Sequence, residues 1–217
     1  MTKKKHILLA NLAAVAGGLA LFAAFPPIGI WPMAILGVAL VVGSLEGRTW
    51  FGSLWLGTLA GGAFFFPLFE WARVASGELI AQVGLATAEA LFIGIMAIVW
   101  QGLMRGGLGA NSVVRACTLG LTWVAFEQLR SMFPFGGMPW GVLAFSQVDG
   151  PLIRLAPWGS VMLVVFVLVF VGVLLERAAV NAFTGGIGRA IVAVACGGAL
   201  LFAPTFLPLA SKADRYI

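Results

Sequence analysis

The amino-acid sequence predicts an all-α, polytopic membrane protein with about seven transmembrane helices and a re-entrant or interfacial segment between the fifth and sixth. Hydrophobic residues make up 61% of the 217 positions and charged residues only 10%, where a soluble domain carries about 25% charged residues. Mean hydropathy is +1.06. Apolar runs near the 20 residues needed to cross a bilayer recur along the whole chain. The 29 glycines agree, because helices in lipid approach closely through small residues rather than through a hydrophobic drive.

Seven runs qualify as spans: 7–25, 31–45, 51–69, 79–101, 113–131, 158–175 and 187–206. The second is short. The first follows Lys3, Lys4 and Lys5 in the manner of a signal peptide, but its length and the lack of an A-x-A site predict a retained anchor. Residues 1–206 therefore read as one transmembrane domain with an insert at 132–157, followed by a short tail at 207–217.

The basic residues set the expected orientation. With the amino terminus in the cytoplasm, that side holds Lys3, Lys4, Lys5, Arg48, Arg105, Arg115, Arg177 and Arg189, and the other holds Arg73, Arg130, Arg154, Lys212 and Arg215. The insert and the carboxyl tail then face the extracytoplasmic side, with Trp31, Trp71, Trp140 and Trp158 near that interface. The 13 basic residues are spread over loops and termini, so they report topology and not nucleic-acid binding. Cys117 and Cys196 lie far apart in apolar runs and read as packing residues; neither a cofactor nor a metal site is expected. Gly57-x-x-x-Gly61 and Gly102-x-x-x-Gly106 match the small-residue helix contact pattern. The GGLGAN and GGIGRA runs follow no predicted strand and do not make a phosphate loop.

Ionisable groups in the spans are expensive, about 2.5–3.5 kcal/mol at a bilayer centre on insertion scales. Glu89, midway through the fourth span, is expected to pair across to another helix, to be protonated, or to line a polar cavity. Glu127 and Arg130 are three apart on one helix face, either as a local ion pair or as an anchor for phosphate or for the insert. Glu70, Trp71 and Arg73 form a similar set at the end of the third span. In the insert, Gly136 and Gly137 permit a sharp turn, Pro139 fixes one, and Trp140 offers an apolar face with one donor. Ser146, Gln147 and Asp149 add hydrogen-bonding groups. Such a segment is either an interfacial cap over the bundle or one wall of a lipid-facing groove.

At these residues the chain resembles a known family. The run FEQLRSMFPFGGMPWGVLAFSQVDGPLIRLAPWG is similar to the fifth-to-sixth span region of apolipoprotein N-acyltransferases, and FPPIGIWPMAILGVAL to that family's first outer loop and second span. The resemblance runs over residues 15–206. Its most specific parts are Glu127-x-x-Arg130, Met138-Pro139-Trp140 and Ser146-Gln147-x-Asp149-Gly150-Pro151 in one order and spacing; LFEWARVAS is similar less closely.

The resemblance implies a multi-pass enzyme of the bacterial cytoplasmic (inner) membrane that moves an acyl chain from a phospholipid to the amino-terminal diacylglyceryl cysteine of a lipoprotein. It implies contacts to lipid or substrate from Glu127, Arg130, Pro139, Trp140, Ser146, Gln147, Asp149, Glu70 and Trp71. The family's chemistry passes through a thioester on the cysteine of a Glu–Lys–Cys triad in an extracytoplasmic nitrilase-like domain, which would begin where this sequence ends, at Ile217. Lysines occur only at positions 3, 4, 5 and 212, and neither cysteine has a basic neighbour that would favour a thiolate. No catalytic residue is therefore assigned, and the chain alone is expected to be inactive. It would embed acyl lipid and lipoprotein chains and dock a separate catalytic domain. The alternative is a non-enzymatic anchor for a polyprenol-phosphate mannose synthase, a mannosyltransferase that accompanies some relatives. A small transporter using Glu89 is a third reading, one that matched broken helices in two halves would support; none are evident.

Overall fold

The computed structural model describes residues 3–207 except residue 110, and among them every regular element is helical. Eight α-helices follow one another: α1 (Lys3–Ala23), α2 (Pro32–Ser44), α3 (Trp50–Leu68), α4 (Glu70–Ser76), α5 (Leu79–Leu103), α6 (Ser112–Arg130), α7 (Ala156–Phe183) and α8 (Ile187–Phe202). Local sequence sets several boundaries. Pro32 opens α2 at its first helical position, where its missing N–H costs nothing. The Thr49 hydroxyl accepts from Gly52 N at 3.1 Å to start α3, and the Asn111 carboxamide accepts from Val113 N at 2.8 Å to start α6.

Except for the short α4, the helices run alternately between two ends of one bundle. At the basal end, Glu46 just past α2 accepts from Arg115 of α6 at 2.7 Å and from Arg177 of α7 at 3.3 Å. The Arg48 carbonyl there accepts from Gln101 at 2.8 Å and from Arg105 at 2.7 Å. The opposite end carries α4 and the insert.

Five helical stretches are long and apolar enough to cross a membrane: Lys4–Ala23, Trp50–Leu68, Leu79–Leu108, Pro151–Phe183 and Ile187–Phe206. Two of the seven expected spans fall short of that standard for opposite reasons. Helix α2 has only 13 residues, and α6 carries Arg115, Glu127 and Arg130. The remaining differences lie in boundaries. Helix α7 continues to Phe183, eight residues beyond the expected Leu175, with non-helical backbone at Gly159 and Ser160 near its start. The insert occupies the stretch between Arg130 and Ala156 and is built from turns and two short 3-10 segments, Leu143–Gln147 and Pro151–Leu155. The expected tail beyond Leu207, including Lys212 and Arg215, lies outside the described residues.

Glycines let the helices touch. A Cβ on Gly61 of α3 would lie 2.7 Å from the Ala90 Cα of α5, and one on Gly57 would lie 2.7 Å from the Ala97 Cβ and 2.8 Å from the Ile93 carbonyl. The Gly57-x-x-x-Gly61 pair therefore serves contact inside this chain. Of the second pair, Gly102 packs under the Trp50 ring, while a Cβ on Gly106 would meet nothing. Gly172 of α7 gives similar room to Val38 of α2.

This packing predicts unequal responses from neighbouring glycines. Gly61→Ala should lower stability by about 1–3 kcal/mol, since backbone must shift, whereas Gly62→Ala meets open space and should be neutral or slightly stabilising. Thermal unfolding of the detergent-solubilised chain reads both; equal effects would contradict the α3–α5 contact.

Candidate functional site

The insert begins where α6 ends, and two side chains of that last turn hold it. Arg130 is 2% exposed. Its Nη1 donates to Glu89 Oε2 of α5 at 3.0 Å, to the Met138 carbonyl at 3.0 Å and to the Trp140 carbonyl at 2.7 Å. Its guanidinium carbon also lies 5.2 Å from the Phe65 ring centroid of α3. Glu127 Oε1, one turn earlier, accepts from the Trp123 indole at 3.0 Å and from Leu143 N of the insert at 3.0 Å. Two charged residues on one helix face thus hold successive backbone groups of the insert.

This corrects one alternative read from the sequence. Glu127 and Arg130 do not form an i,i+3 ion pair; Arg130 pairs with Glu89 across helices, and both partners are buried. Burial is the reason, since an anion as deep as Glu89 needs a cation within reach, and the two insert carbonyls share the remaining Nη1 hydrogen bonding. The third-span analogue, Arg73 with Glu70 at 2.9 Å, does form a local pair, and both of its side chains are largely solvent-exposed. Such a pair is worth little.

The turn from α6 into the insert depends on glycine at two places. Gly137 has φ +79°, and its Cβ would collide with the Ser131 backbone, because Met138 N donates back to the Arg130 carbonyl at 2.8 Å. Gly141 has φ +75°, and its Cβ would lie 2.9 Å from Phe65 and Leu68. Side chains are excluded from both positions by backbone conformation and by contact.

A second anchor lies deeper in the insert. Gln147 is fully buried, and its Nε2 donates to the Trp31 carbonyl at 3.2 Å and to Ser146 Oγ at 2.9 Å, while Ser146 Oγ donates to the Leu143 carbonyl at 2.7 Å. Gly150 leaves room beside this amide, for its Cβ would lie 2.9 Å from Gln147 Oε1. Asp149 is exposed.

Thus fixed, the insert walls a groove of about 400 Å³ lined by Phe25, Pro26, Leu68, Pro139, Trp140, Gly141 and Phe145. Trp71 of α4 packs on Trp140 with ring centroids 5.0 Å apart. Beyond the groove the insert presents Met132, Phe133, Phe135 and Val148 as an exposed apolar ledge. A mostly apolar concavity of this size suits hydrocarbon.

The sequence-identified residues therefore divide into two groups. Pro139 and Trp140 line the groove and Trp71 backs it. Glu127, Arg130, Ser146 and Gln147 turn inward onto protein partners, and Asp149 and Glu70 face out. The groove walls Phe25, Pro26, Leu68 and Phe145 carried no signal beyond being apolar. No group of His, Cys, Asp or Glu among the described residues has a metal-binding arrangement. Cys117 and Cys196 are free thiols, with no ionic partner among the described residues.

A helical membrane domain capped by a buried-arginine insert and an apolar groove defines the class. Residues 17–174 match the family model of the apolipoprotein N-acyltransferase N-terminal domain, and the chain belongs to that family. It is 40% identical over 166 residues to an apolipoprotein N-acyltransferase of Mycolicibacterium smegmatis, covering 74% of this chain and 26% of that protein. Over 177 residues it is 30% identical to the enzyme of that name from Pseudomonas aeruginosa (strain LESB58), with 76% and 34% covered, and over 176 residues it is 31% identical to that of Vibrio parahaemolyticus, with 78% and 35% covered. The matched part spans between a quarter and about a third of these relatives' length. It is the N-terminal membrane domain of the family, in a multi-pass membrane protein.

Removing the cation should expose what it holds. Arg130→Met leaves Glu89 buried without a partner and should destabilise the domain by about 3–5 kcal/mol, with faster proteolysis between positions 131 and 142. Glu89→Gln combined with Arg130→Met should recover part of the stability but not the protection of the insert, which separates the ion pair from the carbonyl clamp. Full recovery of protection in the double variant would contradict the clamp.

Proposed function

We propose that this domain holds acyl lipid for apolipoprotein N-acylation. It would seat the hydrocarbon of a phospholipid donor, and then that of a diacylated lipoprotein, while a nitrilase-like domain supplies the Glu–Lys–Cys triad. The observation that carries this reading is the 400 Å³ apolar groove, one wall of which is the insert segment Pro139–Gly141. In this account Trp140, Pro139 and Phe145 touch hydrocarbon. Glu127, Arg130, Ser146 and Gln147 act through position, by fixing the backbone that carries the groove wall. Asp149 and Glu70, exposed at the same end, are placed to meet lipid headgroups or the catalytic domain.

Topology supports the assignment. Seven passes between the two ends, with α2 and α6 as the short and the charged pass, would put the basal end in the cytoplasm and the insert outside, in line with the excess of basic residues on the amino-terminal side. The bilayer would be the bacterial cytoplasmic membrane, and the chain would leave α8 on the outer side, where Arg154 Nη1 donates to the Leu207 carbonyl at 3.0 Å.

Two experiments test this reading. Photocrosslinking of a diazirine-tagged phospholipid should fall roughly fivefold in Trp140→Ala and in Phe145→Ala, about 1 kcal/mol of apolar contact each, and should be unchanged in Trp158→Ala at the same end. Uniform labelling of all three would sink the groove assignment. For the reaction itself, a nitrilase-like domain from a full-length relative is co-expressed with this chain. Acyl-thioester on that domain's cysteine is expected with the parent chain and is reduced with Trp140→Ala; thioester forming equally well without the chain would refute the lipid-presenting role.

A further inference from the structure

We propose that the basal end of the bundle contains a second, separate site that binds a phosphate-bearing anion. A cavity of about 260 Å³ opens there between the ends of α2, α5 and α6, with Glu46, Trp100, Gln101, Arg105 and Arg115 among its lining residues. Two of its lining side chains are more than nine-tenths buried and still carry an N–H with no acceptor among the described residues: the Trp100 indole Nε1 and Arg115 Nε. A buried donor left unmatched costs about 1–3 kcal/mol, so paired orphan donors on one cavity mark where an acceptor belongs.

Charge selects an anion over a neutral acceptor. Glu46 is shared between Arg115 and Arg177, and Glu176 is engaged by Arg177. Arg105 and Arg48 have no carboxylate partner among the described residues. Arg105 donates to the Arg48 carbonyl and lies 4.9 Å from the Trp50 ring centroid, and Arg48 donates to the Ser44 and His6 carbonyls. Two guanidiniums, Arg105 and Arg115, therefore line the cavity against the one carboxylate of Glu46, which Arg177 also neutralises from outside the lining. The Glu46 carboxylate faces the cavity as well, so the ligand must sit on the Trp100–Arg115–Arg105 side. A tetrahedral oxyanion offers several acceptors at once and suits the forked geometry of arginine. A membrane lipid headgroup and a free phosphate present the same chemistry, and the cavity lies at the opposite end of the bundle from the groove.

The test uses the full 217-residue chain in a phosphate-free maltoside detergent at constant ionic strength. One arm titrates inorganic phosphate; the other adds phosphatidic acid or phosphatidylglycerol in mixed micelles. Thermal unfolding and phosphorus-31 line broadening are read together. Saturable binding in the first arm identifies a free-anion site and in the second a lipid-headgroup site, and either supports the proposal. Trp100→Phe removes the orphan donor together with the pyrrole half of the indole and keeps one aromatic ring; Arg115→Lys keeps the charge and removes Nε. Each should weaken binding roughly tenfold, and the unfolding of each unliganded variant is measured first so that its lower intrinsic stability is subtracted. Should either buried variant fail to fold, exposed Arg105→Gln supplies the comparison and should weaken binding by a similar factor. Absence of binding in both arms, or affinity that none of the folded variants alters, would overturn the site.

Discussion

A buried cation shared between a helix and a loop is the constraint on which the outer end of this domain depends. Arg130 neutralises Glu89 and, with the same nitrogen, fixes the Met138 and Trp140 carbonyls. Neither charge is tolerable in an apolar bundle alone. The insert has no regular backbone ladder of its own between Ser131 and Val142, so its carbonyls need an external donor. One guanidinium meets both needs, and the loop's conformation thereby becomes coupled to the packing of α5 against α6.

Groove and clamp are consequences of the same arrangement. The backbone segment whose carbonyls face Arg130 turns its Pro139 and Trp140 side chains into the groove, while Glu127 and Gln147 hold the following turn from the inside. Polar groups point into protein and apolar groups toward the space for ligand, which inverts the usual expectation that polar residues near a site touch the substrate. A wall held from behind by protein hydrogen bonds suits a ligand that offers only hydrocarbon, since its binding then depends on a preformed shape rather than on directional bonds.

Much of this was legible in the sequence, and the failures have physical causes. The helical membrane class, the insert and its family follow from apolar run length and from the Glu127-x-x-Arg130 and Met138-Pro139-Trp140 patterns. Cross-helix pairing of Glu89 was one of three options, because cost arguments identify a need for a partner but not which one. The partner of Arg130 could not be read at all: a spacing of three names Glu127, whereas the 41-residue separation to Glu89 leaves no local trace. Groove walls such as Phe25 and Leu68 were invisible for the opposite reason, since an apolar residue in an apolar chain carries no contrast. The basal cavity escaped notice because its arginines read as topology signals.

Backbone amide hydrogen exchange across the insert, resolved by residue in detergent, tests the clamp most directly. If Glu127 and Arg130 fix this segment as described, the amides of Met138 and Leu143 exchange slowly, near the rates of the helix cores, while those of Phe135 and Gly136 at the exposed tip exchange quickly. Fast exchange of Leu143 at the rate of Phe135 would show that the insert is not held by α6, and the groove it walls would lose its physical basis.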